Sequence, residues 1–63
     1  MGPPYAVVMY EPGTRVEVAV DDTPHLDFVA VGTTGNCDGS LVYVELEAPY
    51  ESGLFPLRRV RPA

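Results

Sequence analysis

The apolar residues of this chain fall into short runs that glycine and proline separate. Seven prolines and six glycines interrupt the sequence every few residues. No stretch of about 11 residues carries the i, i+3, i+4, i+7 apolar spacing of an amphipathic helix without such an interruption. The runs themselves are rich in valine, tyrosine, phenylalanine and leucine. This pattern predicts an all-β fold, a small barrel of five or six short antiparallel strands.

Two runs alternate between apolar and polar residues, as half-buried strands do. In residues 14–20 the three valines face one side, and the residues between them face the other: Arg15, Glu17 and Ala19. In residues 41–47 the inward positions are Val42, Val44 and Leu46, and the outward positions are Tyr43, Glu45 and Glu47. Both runs therefore predict strands with one face in the core.

Shorter sequence patterns predict the remaining strands, turns and connections. Strands are predicted at residues 5–10, 28–31 and 53–57, and a tight turn at residues 58–60 leads into a last short strand or tail. Pro12-Gly13 suits a type II turn, and Asp38-Gly39 suits a hairpin turn. Connections are predicted at residues 11–14, 21–27, 32–39 and 48–52. Of these, residues 32–39 are a loop or an irregular hairpin, and residues 1–4 are a frayed end.

The length of the chain limits its organisation. Its 63 residues make one domain, here residues 5–63. Cys37 is the only cysteine, which excludes an internal disulfide, and with His25 as the only histidine the ligands for a structural zinc site are too few. The sequence therefore predicts an apolar core without metal or cofactor, which self-association could complete.

The charges are segregated along the chain. Residues 1–57 hold nine acids and one arginine, a net charge of −8, and residues 58–63 hold three arginines, +3, so that the whole chain carries −5. The longest apolar run, residues 5–10, is far shorter than the roughly 20 residues that cross a bilayer. No basic residue precedes Arg15. We expect no membrane segment and no signal peptide, and a cytoplasmic protein with a reduced cysteine.

Two motifs resemble those of a known fold. The G-x-x-V-x-V pattern at residues 13–18 is similar to the opening strand of SH3-like barrels, and the closing segment of such barrels is similar to Gly53-Leu54-Phe55-Pro56…Val60. In SH3 domains that segment leads through a 3₁₀ turn into the final strand. The resemblance implies an SH3-like barrel over residues 13–61. It does not imply a proline-rich ligand, because the chain has no tryptophan and Arg59 stands where SH3 domains carry a tyrosine.

The end of the chain has a second resemblance. Phe55-x-Leu57-x-x-Val60 is similar to the ending of SH3-like accessory subunits that dock onto larger bacterial and plastid enzymes. This resemblance implies an alternative function, that of an accessory subunit of an enzyme complex. Proteins with many unrelated activities share this fold, so the resemblance indicates the architecture and does not by itself identify the function.

Two groups of side chains are candidates for metal binding or catalysis. One predicted loop holds three carboxylates and an imidazole, from Asp21, Asp22, His25 and Asp27. Their spacing matches no calcium loop, and we expect a solvated acidic loop. Cys37 and His25 could form a nucleophile and its base, but a small filled barrel has little room for an oxyanion hole and a substrate. We predict no catalytic and no metal-binding residue, and no enzyme.

Arg58, Arg59 and Arg61 form the densest basic feature. Such a cluster could bind the phosphates of a nucleic acid. It could instead bind a protein partner, or pair with acids on the outer sheet face, namely Glu17, Glu45 and Glu47. The −8 carried by residues 1–57 repels a polyanion, so the sequence favours pairing and disfavours nucleic acid.

Tyrosine offers a rigid apolar body with a polar tip and is common in interfaces. The sequence therefore predicts a non-catalytic protein-binding or regulatory module, with a nucleic-acid-binding barrel as an alternative. The partner is expected to be another protein, and the chain a monomer or a weak homodimer. Residues 5–10 could add an edge strand to another chain. The predicted binding residues are Tyr43, Tyr50, Phe55, Arg58 and Arg59.

Overall fold

The computed structural model describes residues 9–63 and confirms an all-β fold. Five strands follow one another along the chain, and a 3₁₀ helix, Leu57–Arg59, separates the last two; the strands are β1 (Arg15–Val18), β2 (Ala30–Asp38), β3 (Leu41–Leu46), β4 (Gly53–Pro56) and β5 (Val60–Pro62). They form one antiparallel sheet in the order β4-β3-β2-β1-β5. Within residues 9–63 the sheet is not closed, because β4 and β5 are its two edges.

The long central strand β2 corrects one prediction. Residues 32–39 were expected to form a loop or an irregular hairpin, but β2 continues through Asp38. β2 pairs with β1 on one side and with β3 on the other, and these ladders outweigh the weak strand propensity of glycine and asparagine. The register shifts between Thr34 and Cys37, so a bulge accommodates the two residues between them. Cys37 therefore lies in a strand and not in a turn.

Gly32 has a steric role at the middle of the sheet. A Cβ atom at this position would lie within 2.9 Å of side-chain atoms of both Val44 and Leu46, and closer still to the main-chain oxygen of Glu45. Contacts this short do not occur for real Cβ atoms. The close approach of β3 to β2 thus requires glycine here.

The core lies on one face of the sheet. Its cluster of buried residues is Val16, Val18, Ala30, Val42, Val44, Leu46 and Val60. The register explains the cluster, since Val18 stands opposite Ala30 on one neighbour and Val60 on the other. The inward positions predicted for residues 41–47 are confirmed. The outward position predicted for Ala19 is wrong: β1 ends at Val18, the alternation ends with it, and Ala19 is fully buried.

A buried threonine holds the turn that precedes β1. The Thr34 hydroxyl donates to the carbonyl of Glu11 at 2.8 Å and accepts from the Thr14 amide at 3.0 Å. The amide of Gly13 donates to the Thr34 carbonyl at 2.8 Å. Gly13 has φ +90°, which fits the third position of the predicted type II turn.

The connections otherwise follow the sequence. Residues 21–27 and 48–52 lie outside the strands, as predicted, and Gly39 turns the β2–β3 hairpin with φ +64°. Several strand ends differ from the prediction: β1 is shorter than residues 14–20, β2 begins at Ala30, β3 ends at Leu46, and Leu57 belongs to the 3₁₀ helix. The frayed end at residues 1–4 and most of the strand predicted at residues 5–10 lie outside the described residues. Met9 and Tyr10 are described, and neither is in a strand.

Candidate binding surface

The outer face of the sheet carries ion pairs on its β1–β5 side. An Arg15 Nη1 donates to Glu47 Oε2 at 2.9 Å, and Arg61 Nε donates to Glu17 Oε1 at 2.7 Å. The Arg61–Glu17 pair joins the neighbouring strands β5 and β1, and the Arg15–Glu47 pair joins β1 to the residue that follows β3. Most of the side chains in the two pairs are well exposed. Each such pair contributes at most about 1 kcal/mol to stability. Their main effect is that the acidic and basic groups of this region neutralise one another.

The β3–β4 side of the same face carries apolar side chains. Tyr43 on β3 stands opposite Leu54 on β4, so both point to the outer face. Tyr43 is 41% exposed and Leu54 55% exposed. A Cβ built at Gly35 would lie 3.1 Å from the Tyr43 Cδ2 atom, so the ring rests close to the backbone of β2. We refer to Tyr43 and Leu54 together as the Tyr43–Leu54 strip.

Arg59 holds the junction between the 3₁₀ helix and the end of β1. Its Nε donates to the Ala19 carbonyl at 2.8 Å, and its Nη2 donates to the Val20 carbonyl at 2.5 Å. In the reverse direction the Ala19 amide donates to the Arg59 carbonyl at 2.9 Å. The half-buried guanidinium also lies 5.7 Å from the centre of the Phe55 ring. Arg59 thus satisfies two carbonyl groups where the chain leaves the sheet.

Arg58 connects the 3₁₀ helix to the acidic loop. One of its terminal nitrogens lies 2.8 Å from each of the two carboxylate oxygens of Asp22. The hydrogen bond from Arg58 lowers the pKa of Asp22 below its ordinary value, and desolvation opposes it without cancelling it. Both side chains are more than half exposed. Asp22 is therefore held as a carboxylate partner for arginine.

The third arginine of the cluster has two partners. Besides its bond to Glu17, Arg61 places its guanidinium carbon 4.4 Å from the centre of the Phe28 ring, a cation–π distance. The pairing predicted between the arginine cluster and Glu17 is thus present. Of the other two acids expected to pair with that cluster, Glu47 bonds instead to Arg15. Within residues 9–63 no salt bridge includes Glu45.

The structure does not bring the five predicted binding residues into one patch. Tyr43 faces outward, whereas Phe55 packs against the core from the other side of β4. Arg58 and Arg59 lie in the 3₁₀ helix, and Tyr50, 37% exposed, lies in the β3–β4 connection. Sequence reasoning did not include Leu54. The signal for it is the alternation along β4, in which the neighbour of an inward phenylalanine points outward.

Tyr10 and Cys37 make contacts within the chain. The Tyr10 hydroxyl donates to the Val60 carbonyl at 3.3 Å, and its ring packs against the core. The half-buried thiol of Cys37 donates to the Tyr10 carbonyl at 3.6 Å. Among residues 9–63 there is no group of three histidine, cysteine, aspartate or glutamate side chains placed to hold a metal ion.

The last two findings concern membrane-spanning helices and similarity to known proteins. In the part of the chain that the structure describes, no helix is long and apolar enough to cross a membrane. Comparison of the chain with protein-family models, curated proteins and solved structures found no match.

Proposed function

We propose that this chain is a non-catalytic protein-binding module whose contact surface is centred on the Tyr43–Leu54 strip. The observation that carries the proposal is the exposure of these two apolar side chains, 41% and 55%, beside each other on a sheet face that otherwise bears ion pairs. A rigid aromatic side chain next to an aliphatic one is the kind of anchor that dominates protein interfaces. Tyr50, also exposed, follows in the adjacent connection and extends this surface.

We infer further that the sheet belongs to the SH3-like barrels. The support is the 3₁₀ helix Leu57–Arg59, which joins the Gly-Leu-Phe-Pro strand to the last strand as the resemblance implies. The pairing of that last strand with β1 gives additional support, because it places the two ends of the sequence resemblance side by side. In keeping with this reading, we propose a cytoplasmic location, in which the single thiol of Cys37 stays reduced.

A protein partner is favoured over a nucleic acid by the contacts of the arginines. Arg58 binds Asp22, Arg61 binds Glu17, and Arg59 is hydrogen-bonded to main-chain carbonyls. A phosphate backbone would have to compete with all three of these interactions and would meet a chain of net charge −5. Among residues 9–63, no ion pair includes a residue of the Tyr43–Leu54 strip.

The test compares two aspartate substitutions at equally exposed apolar positions. Leu54 lies in the strip, and Val29 lies just before β2; both are 55% exposed. Tagged wild-type, Leu54→Asp and Val29→Asp chains are used to capture proteins from a native lysate of the source organism. A partner identified by mass spectrometry is then purified, and its dissociation constant is measured against each chain.

We expect Leu54→Asp to weaken binding of the purified partner at least tenfold, roughly the effect of removing one interface anchor. Val29→Asp should bind as the wild type does. Equal binding by all three chains, or an equal loss in both variants, contradicts the proposed contact surface. Tyr43→Ser provides a second variant of the strip and should also weaken binding.

A further inference from the structure

We propose that the open edge of β4 pairs with the same edge of a second copy of this chain, in antiparallel orientation and centred on Leu54. The proposal rests on the proposed function in one respect, because the Tyr43–Leu54 strip again forms the contact. It adds a partner and a register, which follow from the main-chain directions along β3 and β4.

Three hydrogen bonds show which residues of β3 direct their main-chain groups toward β2 and which toward β4. Glu47 donates its amide to the Val31 carbonyl, so the odd-numbered residues of β3 direct their main-chain groups toward β2. Leu46 donates to the Ser52 hydroxyl, so the even-numbered residues direct theirs toward β4. Leu57 donates to the Ser40 carbonyl, in agreement with this assignment.

As a consequence, the amide and the carbonyl at the middle of β4 face away from β3. Because Gly53 and Phe55 direct their main-chain groups to β3, those of Leu54 point away from the sheet. Within residues 9–63, no main-chain hydrogen bond other than those of the strand pairings involves the amide or the carbonyl of Leu54. Pro56 also points to this edge and has no amide hydrogen to donate. An edge of this kind is a template for another strand.

The single donor at the middle of β4 selects one antiparallel register. With Leu54 opposite Leu54 of the second copy, each Leu54 amide donates to the other Leu54 carbonyl, and the two bonds are related by the twofold axis. The same register sets the Ser52 amide of each copy opposite the Pro56 carbonyl of the other. A shift by two residues in one direction would set Pro56, which cannot donate, opposite Leu54, and a shift in the other direction would set Leu54 opposite Ser52, which lies outside β4.

Side chains and charges agree with the same arrangement. Leu54 of the two copies would stand side by side on the outer face, each flanked by its own Tyr43, so that two strips join into one apolar row. Glu51 precedes β4 and Arg58 follows it. Antiparallel pairing therefore brings the acidic end of one strand toward the basic end of the other. The joined row gives a protein partner a larger contact than one copy provides.

The decisive variant replaces the amide hydrogen of residue 54 with a methyl group and leaves every side chain in place. The full chain is assembled by ligation at Cys37, the only cysteine, with either leucine or N-methyl-leucine at position 54. Sedimentation velocity is measured over a concentration series up to the millimolar range. The leucine chain should form a dimer as its concentration rises, and N-methylation should raise the dissociation constant at least tenfold, as expected for two lost hydrogen bonds.

A second measurement uses the unmodified chain and does not depend on how the variant folds. Amide hydrogen exchange of Leu54 should slow as the concentration rises, whereas exchange of the Val29 amide, which donates to the Asp27 carbonyl of its own chain, should be independent of it. A chain that stays monomeric at millimolar concentration, a dimer unaffected by N-methylation, or concentration-independent exchange at Leu54 would each overturn the proposal.

The outcomes separate this proposal from the proposed function. A monomeric wild-type chain that still loses its partner on Leu54→Asp rejects the dimer and retains the contact surface. A dimer that forms through Leu54 while both aspartate variants bind a partner equally rejects the contact surface and retains the dimer.

Discussion

The two sides of the outer sheet face differ in how their side chains use neighbouring strands. On the β1–β5 side, long charged side chains find charged partners: Arg61 of β5 binds Glu17 of β1, and Arg15 of β1 reaches Glu47, just after β3. On the β3–β4 side, Tyr43 and Leu54 remain exposed, and within residues 9–63 no ion pair includes either of them. A cluster of arginines is therefore a weak indicator of a binding site when acids and main-chain carbonyls lie within reach of it.

The largest expected loss of stability comes from a substitution in β2, the strand that lies between the two sides of the sheet face. Gly32→Ala places a Cβ atom against the backbone of β3, within 2.9 Å of Val44 and Leu46 side-chain atoms. We expect a loss of about 3 kcal/mol in the free energy of unfolding, typical of overpacking, which would largely unfold a domain of this size. Urea denaturation followed by circular dichroism measures it. Gly53→Ala is the control, because a Cβ there meets nothing within 4 Å.

The second-largest expected effect distinguishes Arg59, which bonds to the main chain, from the arginines that bond only to side chains. Arg59→Met removes the donors to the carbonyls of Ala19 and Val20. We expect a loss of about 2 kcal/mol, as for hydrogen bonds to a charged donor. Arg15→Met, which breaks an exposed pair with Glu47, should cost less than about 1 kcal/mol. Equal losses of unfolding free energy in the two variants would remove the distinction between Arg59 and the surface arginines.

The smallest effect is a change in titration at the acidic loop. Arg58→Ala removes the hydrogen bond that lowers the pKa of Asp22, so this pKa should rise toward 3.8. Since the pKa is depressed in the folded chain, the pair stabilises the fold above the unfolded value and loses that effect as the pH falls through the folded value. NMR titration of the Asp22 carboxyl measures the shift. Arg15→Ala should leave the titration of Asp22 unchanged, and a shift there would contradict the assigned cause.

The sequence predicts much of the sheet and little of the surface. Alternation within residues 41–47 correctly assigns the buried face of β3, because a strand with one face in the core imposes a period of two. The same rule does not apply at Ala19, since the strand has already ended. Residues 32–38 resemble a loop locally and become a strand through pairing with β3, and at Gly32 and Thr33 also with β1; local composition does not contain these pairings.

The surface depends on contacts between residues that are far apart in the chain. Arg58, Arg59 and Arg61 are adjacent in sequence, yet they meet an acidic loop, two main-chain carbonyls and the outer face of β1. These destinations depend on the 3₁₀ helix that turns the chain between β4 and β5. Tyr43 could be assigned to the outer face from the sequence, and alternation along β4 indicates the same for Leu54, whereas their position opposite each other required the register of β3 and β4.

The pairing of β1 with β5 has a consequence for how the chain reaches this fold. The hairpins formed by β2, β3 and β4 join residues that are close in sequence, whereas the β1–β5 ladder joins Val16 to Pro62. Closing a longer loop costs more conformational entropy before any contact forms. We therefore expect the hairpins to form first and β5 to dock last, so that substitutions in β5 accelerate unfolding and leave the folding rate nearly unchanged.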